Sequence, residues 1–319
     1  MLKIIELNLQ NLKSQQIVDF AYTENLIPKH YSFYEKWLEN NLNGSLHYLS
    51  NDQARKRQSL KKLFQECESA LVFLFSHGQM KKYLDEQKYS KKMAAFVLGY
   101  EGMDYHHYIR NSLTAIVKDH FKQSKTLICV DTMPLLERDL AYQAGLGFIG
   151  KNSMLIHPIY GSQVMIGSIL LDHKLDLPKK DIAAFGCGDC QNCIKACPTN
   201  ALIAPFTVDA AKCISAFTIE QMKRLDPPQG YKTQNYFFGC DACQNVCPFN
   251  MEAQKKVEAF KSGEKISLIE EYFLKSDRSA IEANLNQLSN HAYKRKFKDT
   301  SLERTGRVGM LKNIENLTD

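Results

Sequence analysis

The arrangement of cysteines constrains this chain more than any other feature of its sequence. Eight of the ten cysteines fall within residues 187–247, and the first four follow the spacing C-x2-C-x2-C-x3-C-P. This spacing is typical of domains that bind two [4Fe–4S] clusters, in which the fourth cysteine ligates the other cluster of the pair. A shorter motif, C-x2-C-x3-C-P, begins at Cys240, and Cys213 precedes it. Eight thiolates are the number that two such clusters require.

The order of the cysteines along the chain predicts which thiolates share a cluster. Three cysteines at successive spacings of two surround one face of a cluster, and the fourth reaches its neighbour. We therefore assign one cluster to Cys187, Cys190, Cys193 and Cys247, and the other to Cys197, Cys213, Cys240 and Cys243.

Other uses of these cysteines fit the spacing less well. A structural zinc site takes its four cysteines as two C-x2-C pairs, which does not explain the longer run or the proline that follows it. Disulfides are typical of secreted proteins, and no signal peptide is recognisable in the sequence. The two remaining cysteines, Cys67 and Cys129, lie in apolar runs and are predicted to be buried.

Length and composition favour a globular protein with two or three domains. The chain has 319 residues, of which 44% are hydrophobic and 24% charged. Its net charge of +6 permits an anionic partner without demanding one. The longest apolar stretch, residues 164–171, is too short to span a bilayer. We therefore expect no membrane partner and a cytoplasmic location.

The spacing of apolar residues predicts helices that alternate with buried strands. The first sixteen residues also have the pattern of an amphipathic helix. The predicted elements are helices within 8–50 and over 105–120 and 135–144, and strands over 70–75, 126–130 and 162–172.

This alternation predicts a fold of the α/β or α+β class with three parts. An α/β domain is expected over residues 1–178, and a ferredoxin-like domain with two [4Fe–4S] clusters over 179–250. A short helical region, partly basic, is expected over 251–319.

Residues 145–150 spell G-x-G-x-x-G, the pattern of dinucleotide-binding loops. In those loops the pattern follows a strand and opens a helix, whereas here it follows a predicted helix. The glycines are therefore expected to end that helix and to form a tight loop, rather than to bind NAD.

Asp131 follows a predicted buried strand. The ends of strands in open α/β sheets are common ligand sites. An aspartate before a helix with proline in its first turn is equally typical of an N-cap. The residues alone favour the cap, and the two roles are compatible.

Several segments together resemble the epoxyqueuosine reductase family, over about residues 1–250. The segments are DYH at 104–106, VDTMPLLE at 130–137, GLGFIGKN at 145–152, YGS at 160–162, the cysteine run at 187–198, CIS at 213–215 and FGCDACQNVCP at 238–248. The glycine loop and the cysteines alone would indicate only a wider group that includes reductive dehalogenases.

The resemblance implies a cobalamin-dependent enzyme of tRNA modification. Members reduce the epoxide of epoxyqueuosine, at the wobble position of certain tRNAs, to the alkene of queuosine. The clusters would pass electrons to cobalamin, which the domain over 1–178 would bind. Asp131 matches the proton donor, and we expect burial to raise its pKa.

The same resemblance implies contacts to cobalamin. Asp131 is one expected contact. The others are Arg57, Lys151, Asn152, Ser153, His157 and Ser215. No cobalamin motif of the D-x-H-x-x-G type is present, so this cofactor rests on the resemblance. A solvated or capping role is the alternative for each residue.

The basic stretch near the end of the sequence is a candidate contact to tRNA phosphates. Its members are Lys294, Arg295, Lys296 and Lys298, and the alternative is an ordinary exposed helix face. Longer members of the family carry further helical repeats after the clusters, so the extent of the tRNA contact is open. We also expect a reductant protein as partner and a monomeric state.

Two other functions compete with this one. A corrinoid reductive dehalogenase would be expected to carry an export signal, which is not recognisable here. An iron–sulfur electron carrier would leave the segment 130–152 without a role. Cobalamin binding separates the carrier from the enzymes, and dependence on tRNA separates the two enzymes.

Overall fold

The computed structural model describes residues 16–221, 231–258 and 263–317. The strands are β1 (Ile17–Thr23), β2 (Ser69–Ser76), β3 (Lys92–Met93), β4 (Thr126–Cys129), β5 (Phe148–Ile149), β6 (Leu155–Ile156), β7 (Val164–Leu171), β8 (Leu202–Ala204), β9 (Thr207–Val208) and β10 (Tyr236–Phe238).

Most of the described helices are short. They are α1 (Tyr31–Glu39), α2 (Gln53–Lys56), α3 (Gly78–Gln87), α4 (Tyr105–His120), α5 (Glu137–Gln143), α6 (Asn192–Lys195), α7 (Ile214–Ala216), α8 (Ala242–Asn245), α9 (Pro248–Lys256), α10 (Glu264–Ile269), α11 (Arg278–Gln287), α12 (Asn290–Lys296) and α13 (Leu302–Glu315). Within the described residues, no helix is long and apolar enough to cross a membrane.

The central sheet has four strands in the order β1-β2-β7-β4, and every neighbouring pair is antiparallel. β2 and β7 occupy its middle, and β2 is buried along its whole length because its sequence, SALVFLFS, is almost entirely apolar. The mixed helix-and-sheet fold class is confirmed, as are the predicted strands at β2, β4 and β7. The alternation of elements did not indicate that the strands run antiparallel.

The prediction of helices throughout 8–50 is wrong for residues 17–23. These residues form β1, which pairs with β2 at the edge of the sheet. Ile17 and Tyr22 are buried there, and the segment IVDFAYT is rich in β-branched and aromatic residues, which suit a half-buried strand. Pairing with β2 therefore outweighs the helical spacing. The predicted amphipathic helix at the start of the chain lies almost wholly outside the described residues.

The two faces of the sheet bury alternate residues of β2. Leu71, Phe73 and Phe75 face a core shared with α4 and the C-terminal helices. Ala70, Val72 and Leu74 face a second core, which includes α5. Cys67 and Cys129 are both fully buried in this second core, as predicted.

The glycine-rich loop ends α5 as the sequence predicts. Gly145 has φ +81°, and its amide donates to the Tyr142 carbonyl oxygen at 3.0 Å. The Leu146 amide donates to the Ala141 carbonyl oxygen at 3.0 Å, which completes a Schellman motif. A Cβ at Gly145 would lie 2.7 Å from the Asp181 carbonyl oxygen, so the loop also needs glycine for close packing.

The cysteine-bearing segment is joined to the rest of the fold by specific contacts. β10 pairs in parallel with β3. Asn250 is buried and accepts the Ser162 amide at 2.6 Å, and its own amide group donates to the Gln244 carbonyl oxygen at 2.8 Å. Asp241 accepts the Ala95 amide at 2.8 Å. The cysteine segment is thus anchored at several points on the sheet-bearing body.

Candidate active site and iron–sulfur centres

An open cavity of about 560 Å³ lies where three parts of the chain meet. Asp131 lies beyond the end of β4, and Tyr105 and His106 begin α4. Ser215 comes from the cysteine segment, and Arg304 from α13. The side chain of Asp131 is 49% exposed on the cavity floor, where a bound molecule can reach it.

Asp131 belongs to a network of four further side chains. Its Oδ2 accepts the Tyr105 hydroxyl at 2.7 Å and lies 2.9 Å from His106 Nε2. The other ring nitrogen of His106, Nδ1, lies 2.8 Å from Asp104 Oδ1. Asp104 Oδ2 in turn accepts the Ser301 hydroxyl at 2.8 Å. A continuous chain of hydrogen bonds therefore runs from α13 to the cavity floor.

The pKa of Asp131 is lowered in this network, whereas burial was expected to raise it. The surrounding protein opposes ionisation, but hydrogen bonds from His106 and Tyr105 outweigh that effect and lower the pKa of Asp131. Burial likewise opposes the charged form of His106, yet Asp104 and Asp131 raise its pKa to about 9. At neutral pH the proton therefore resides on His106.

A raised pKa occurs instead on Glu137, the first residue of α5. Burial raises the pKa of this carboxyl group, and the charge of Asp131 adds to the effect. Glu137 Oε1 accepts the Asp131 amide at 2.7 Å, and Asp131 has φ +41°, in the left-handed region that aspartate tolerates better than most residues. Asp131 is not the N-cap of α5, because Leu136 precedes that helix. The cap interpretation is therefore wrong.

Three of the residues predicted to contact cobalamin have buried polar atoms without a partner among the described residues. These atoms are Arg57 Nη1, Asn152 Nδ2 and Ser153 Oγ. A buried donor without an acceptor is unfavourable by roughly 1–3 kcal/mol. The three atoms therefore suit a ligand rich in polar groups, and the amide-bearing cobalamin is such a ligand. Their residues are not among those that line the cavity of Asp131.

The other three predicted contacts differ in position: Lys151 and His157 support loops, and Ser215 lines the cavity. Lys151 Nζ donates to the Gly188 carbonyl oxygen at 2.6 Å, beside the first cysteine of the run. His157 is buried, with Nε2 3.1 Å from Asp19 Oδ2 and Nδ1 accepting two backbone amides. Ser215 lines the cavity itself. Lys151 and His157 thus stabilise the loop that carries Asn152 and Ser153.

The cysteine thiols influence one another in two groups, and their assignment to clusters stays a prediction. Burial raises the pKa of Cys193 and of Cys247, and both shifts receive contributions from Cys187 and Cys190. In the other group, burial raises the pKa of three thiols, each of which Cys197 also influences; they are Cys213, Cys240 and Cys243.

These thiols are not arranged around single ions. Among the described residues, no three His, Cys, Asp or Glu side chains form a site for one metal ion. A cluster of four iron atoms spreads its ligands more widely, because each iron takes its own thiolate.

The basic stretch lies on an exposed face at the edge of the cavity. Tyr293 and Phe297 anchor α12 in the core, whereas Lys294, Arg295 and Lys298 are exposed. Lys294 also lines the cavity. The side chain of Lys296 lies over the ring of Tyr272, with Nζ 5.3 Å from its centroid.

His106 and Ser301 had no predicted role. The segment DYH was noted only as part of a resemblance, although an aspartate N-cap two residues before a histidine is a local signal for their pairing. Ser301 had no such signal, because its contact with Asp104 spans 197 residues of sequence.

Comparison with known proteins agrees with this geometry. A family model described as a 4Fe-4S double cluster binding domain matches residues 186–250, which contain all eight cysteines of the motif. The epoxyqueuosine reductase of Cellulophaga algicola is 31% identical over 89% of this chain and 87% of its own length. The epoxyqueuosine reductase of Cyclobacterium marinum is 32% identical over 93% and 90%.

Solved structures show the same fold. An epoxyqueuosine reductase from Streptococcus thermophilus superposes with a TM-score of 0.78 at 21% identity, over 97% of this chain and 80% of that one. An epoxyqueuosine reductase crystallised with an epoxyqueuosine-modified tRNA-Tyr stem loop has a TM-score of 0.70 at 25% identity, over 96% and 78%. With relatives above 30% identity over most of both chains, the chain belongs to the epoxyqueuosine reductase family.

Proposed function

We propose that this protein reduces epoxyqueuosine to queuosine in the anticodon of tRNA, with Asp131 as the proton donor. The conversion of an epoxide to an alkene and water takes two electrons and two protons. The observation that carries the proposal is the place of Asp131, on the floor of an open cavity between the cysteine segment and the basic helix. Its partners Tyr105 and His106 both hold Oδ2, and half of its side chain remains exposed.

The eight cysteines supply the electron path in this proposal. The cluster of Cys197, Cys213, Cys240 and Cys243 would lie nearer the reaction, because Ser215 and Phe238 flank its ligands and line the cavity. The cluster of Cys187, Cys190, Cys193 and Cys247 would lie nearer the surface, beside the exposed Phe185. Electrons from a reductant protein would therefore enter at this cluster, which lies nearer the surface.

The proposed cofactor is cobalamin, which would supply a nucleophilic cobalt centre when it is bound and reduced. Arg57, Asn152 and Ser153 would bind its polar groups through their unpartnered atoms. Lys151 and His157 would hold the loop that carries Asn152 and Ser153, and Ser215 would face the cofactor from the cluster side. These residues bind and orient, whereas Asp131 moves the proton.

The tRNA is proposed to lie across α12. Lys294, Arg295 and Lys298 would neutralise phosphates, and Lys296 would add to the positive field. The modified base has to leave the anticodon stack to reach the cavity, as in other enzymes that act on a base. We propose further that the protein works as a monomer in the cytoplasm.

The experiment that tests the function is an anaerobic turnover assay. Protein reconstituted with both clusters and cobalamin is mixed with a strong reductant and tRNA that contains epoxyqueuosine, and the digested nucleosides are analysed by mass spectrometry. We expect loss of one oxygen atom from the nucleoside, dependent on cobalamin. Asp131→Asn should slow turnover by roughly 10²- to 10⁴-fold, because the amide cannot supply a proton.

Binding measurements test whether Asp131→Asn loses turnover through the missing proton and not through weaker binding. Asp131→Asn should bind cobalamin and tRNA as the wild type does, and Asp119→Asn, at the exposed far end of α4, should retain full turnover. An unchanged nucleoside with cobalamin that binds and is reduced would show that the substrate is wrong. A protein that binds no cobalamin would be an electron carrier.

A further inference from the structure

We propose that His106 is the proton source behind Asp131, that Asp104 positions it, and that Ser301 from the C-terminal helices positions Asp104. This proposal rests on the proposed function, because it concerns the supply of protons to the same reaction. Asp131 faces the substrate, whereas His106 and the two residues behind it act through Asp131.

The imidazole ring of His106 lies between two carboxylates. Each ring nitrogen of His106 lies within 2.9 Å of a carboxylate oxygen, Asp104 Oδ1 on one side and Asp131 Oδ2 on the other. A neutral imidazole has one N–H group and can donate to only one of them. The doubly protonated ring satisfies both carboxylates, so this geometry favours a stored proton on His106.

The charges that face the ring agree with the geometry. Asp104 and Asp131 together raise the pKa of His106 to about 9 against the opposing effect of burial. Farther groups are the carboxyl groups of Glu137 and Glu220, whose own pKa values are influenced by His106, and the guanidinium of Arg304, which is paired with Glu220. Arg138 is a further cation, influenced by Glu137 and Asp131. The two carboxylates in direct contact with the ring account for the raised pKa of His106.

The proposed step balances protons with the two electrons of the reaction. His106 Nε2 gives its proton to the Asp131 carboxylate, and the resulting carboxyl group passes that proton to the epoxide oxygen as the C–O bond breaks. Departure of that oxygen as water needs a second proton. His106 is 18% exposed in its side chain, so solvent can reprotonate it between the two transfers. A single carboxyl group without this supply would have to be reprotonated directly from the occupied cavity.

Asp104 and Ser301 fix the orientation of the ring. Asp104 is the N-cap of α4, and its Oδ1 accepts the His106 backbone amide at 2.9 Å as well as facing Nδ1. Its Oδ2 accepts the Ser301 hydroxyl at 2.8 Å, and its own amide donates to the Asp299 carbonyl oxygen at 2.7 Å. Both oxygens of Asp104 are thereby held, and Nε2 of His106 can face only Asp131.

The test compares His106→Gln with His120→Gln in the anaerobic assay under single-turnover conditions. Glutamine can form hydrogen bonds to the carboxylates but cannot transfer a proton. We expect turnover at neutral pH to fall by about 10- to 100-fold in His106→Gln. His120 is exposed at the far end of the same helix, and its variant should match the wild type.

Two further readouts distinguish proton transfer by His106 from a purely structural role of this residue. In the wild type, the rate should decline at alkaline pH as His106 loses its proton, and this limb should be absent from His106→Gln. Added imidazole should restore part of the turnover of His106→Ala. Ser301→Ala should shift the alkaline limb to lower pH, because a less restrained Asp104 stabilises the imidazolium less.

Histidine NMR of the oxidised holoenzyme provides a measurement independent of activity. The His106 signal should titrate at least one pH unit above an ordinary histidine, and Asp131→Asn should lower its midpoint. Wild-type turnover in His106→Gln, or an ordinary midpoint for His106, would overturn the relay. Neither outcome would affect the proposed function, which fails only if the wild-type protein leaves the epoxide unreduced.

Discussion

At the scale of single residues, neighbouring carboxyl groups of the cavity respond to the same surroundings in opposite ways. Asp131 has donors on one oxygen, so its charged form is stabilised. Glu137 is buried and lies close to the negative charge of Asp131, so its neutral form is stabilised. The site can thus hold an anion and a neutral acid side by side at neutral pH.

This difference predicts a pH-dependent effect of Glu137→Gln on stability. A carboxyl group whose pKa is higher in the folded protein binds more protons there, so it reduces stability as pH rises above its unfolded value. Glutamine keeps the acceptor for the Asp131 amide and removes the ionisation. We therefore expect the Tm of the variant, relative to the wild type, to increase between about pH 5 and about pH 8.5.

The measurement is thermal unfolding of both proteins at a fixed scan rate across that pH range. Glu137→Ala is the matched variant, because it removes the acceptor as well. Its turnover should fall by about 10- to 100-fold as Asp131 loses its position. A constant Tm difference between Glu137→Gln and the wild type would contradict the raised pKa.

At the scale of elements, the aromatic and the basic side chains of α12 and its C-terminal end lie on different faces. Tyr293 and Phe297, four residues apart, are buried on one face, and the basic residues occupy the other. Among the described residues, Lys294, Arg295 and Lys298 form no ion pair through their side chains. Their side chains are exposed to solvent, whereas the aromatic pair keeps the helix in place.

The triple variant Lys294→Ala, Arg295→Ala and Lys298→Ala should bind tRNA more weakly while retaining its fold. Each lost phosphate contact reduces the slope of log affinity against log salt by about 0.7 to 0.9, so the total change should be about 2 to 3. The control removes the same charge at Lys118, Lys122 and Lys125, at the opposite end of α4. Equal salt slopes in the two variants would exclude α12 from the tRNA contact.

The sequence was most informative where a local pattern fixed a local structure. The spacing of the cysteines and the glycines that end α5 needed only neighbours along the chain. β1 was missed because its helical spacing was overruled by pairing with β2. The state of Asp131 could not be predicted either, because it depends on His106, which lies 25 residues away. Distant contacts account for what the sequence left open.

At the scale of the whole molecule, one buried amide group joins the sheet to the cysteine segment. Asn250 accepts the Ser162 amide and donates to the Gln244 carbonyl oxygen, while Ser162 also donates to Gln244 Oε1 at 2.9 Å. Gly161 lies directly against this junction, where a Cβ would be 2.0 Å from Asn250 Oδ1. The junction has no room for a larger side chain.

Asn250→Ala should therefore destabilise the region around the clusters. It leaves the buried Ser162 amide without its acceptor, at roughly 1–3 kcal/mol. It also removes one of two donors to the Gln244 carbonyl oxygen, which still accepts the Cys247 amide at 3.1 Å. We expect a lower thermal midpoint together with earlier loss of iron–sulfur absorbance. Met251→Ala, at an exposed position of the same helix, is the control. Loss of absorbance at the wild-type temperature would show that the junction does not support the clusters.

The hydrogen bond between Ser301 and Asp104 also has a consequence for biosynthesis. A ribosome completes the sheet, α4 and all eight cluster cysteines before it reaches Ser301. Asp104 gains this partner only after about 300 residues have been made and the C-terminal helices have docked. A nascent chain thus holds all eight of these cysteines before Asp104 has both partners, and the orientation of His106 is completed only when the C-terminal helices dock.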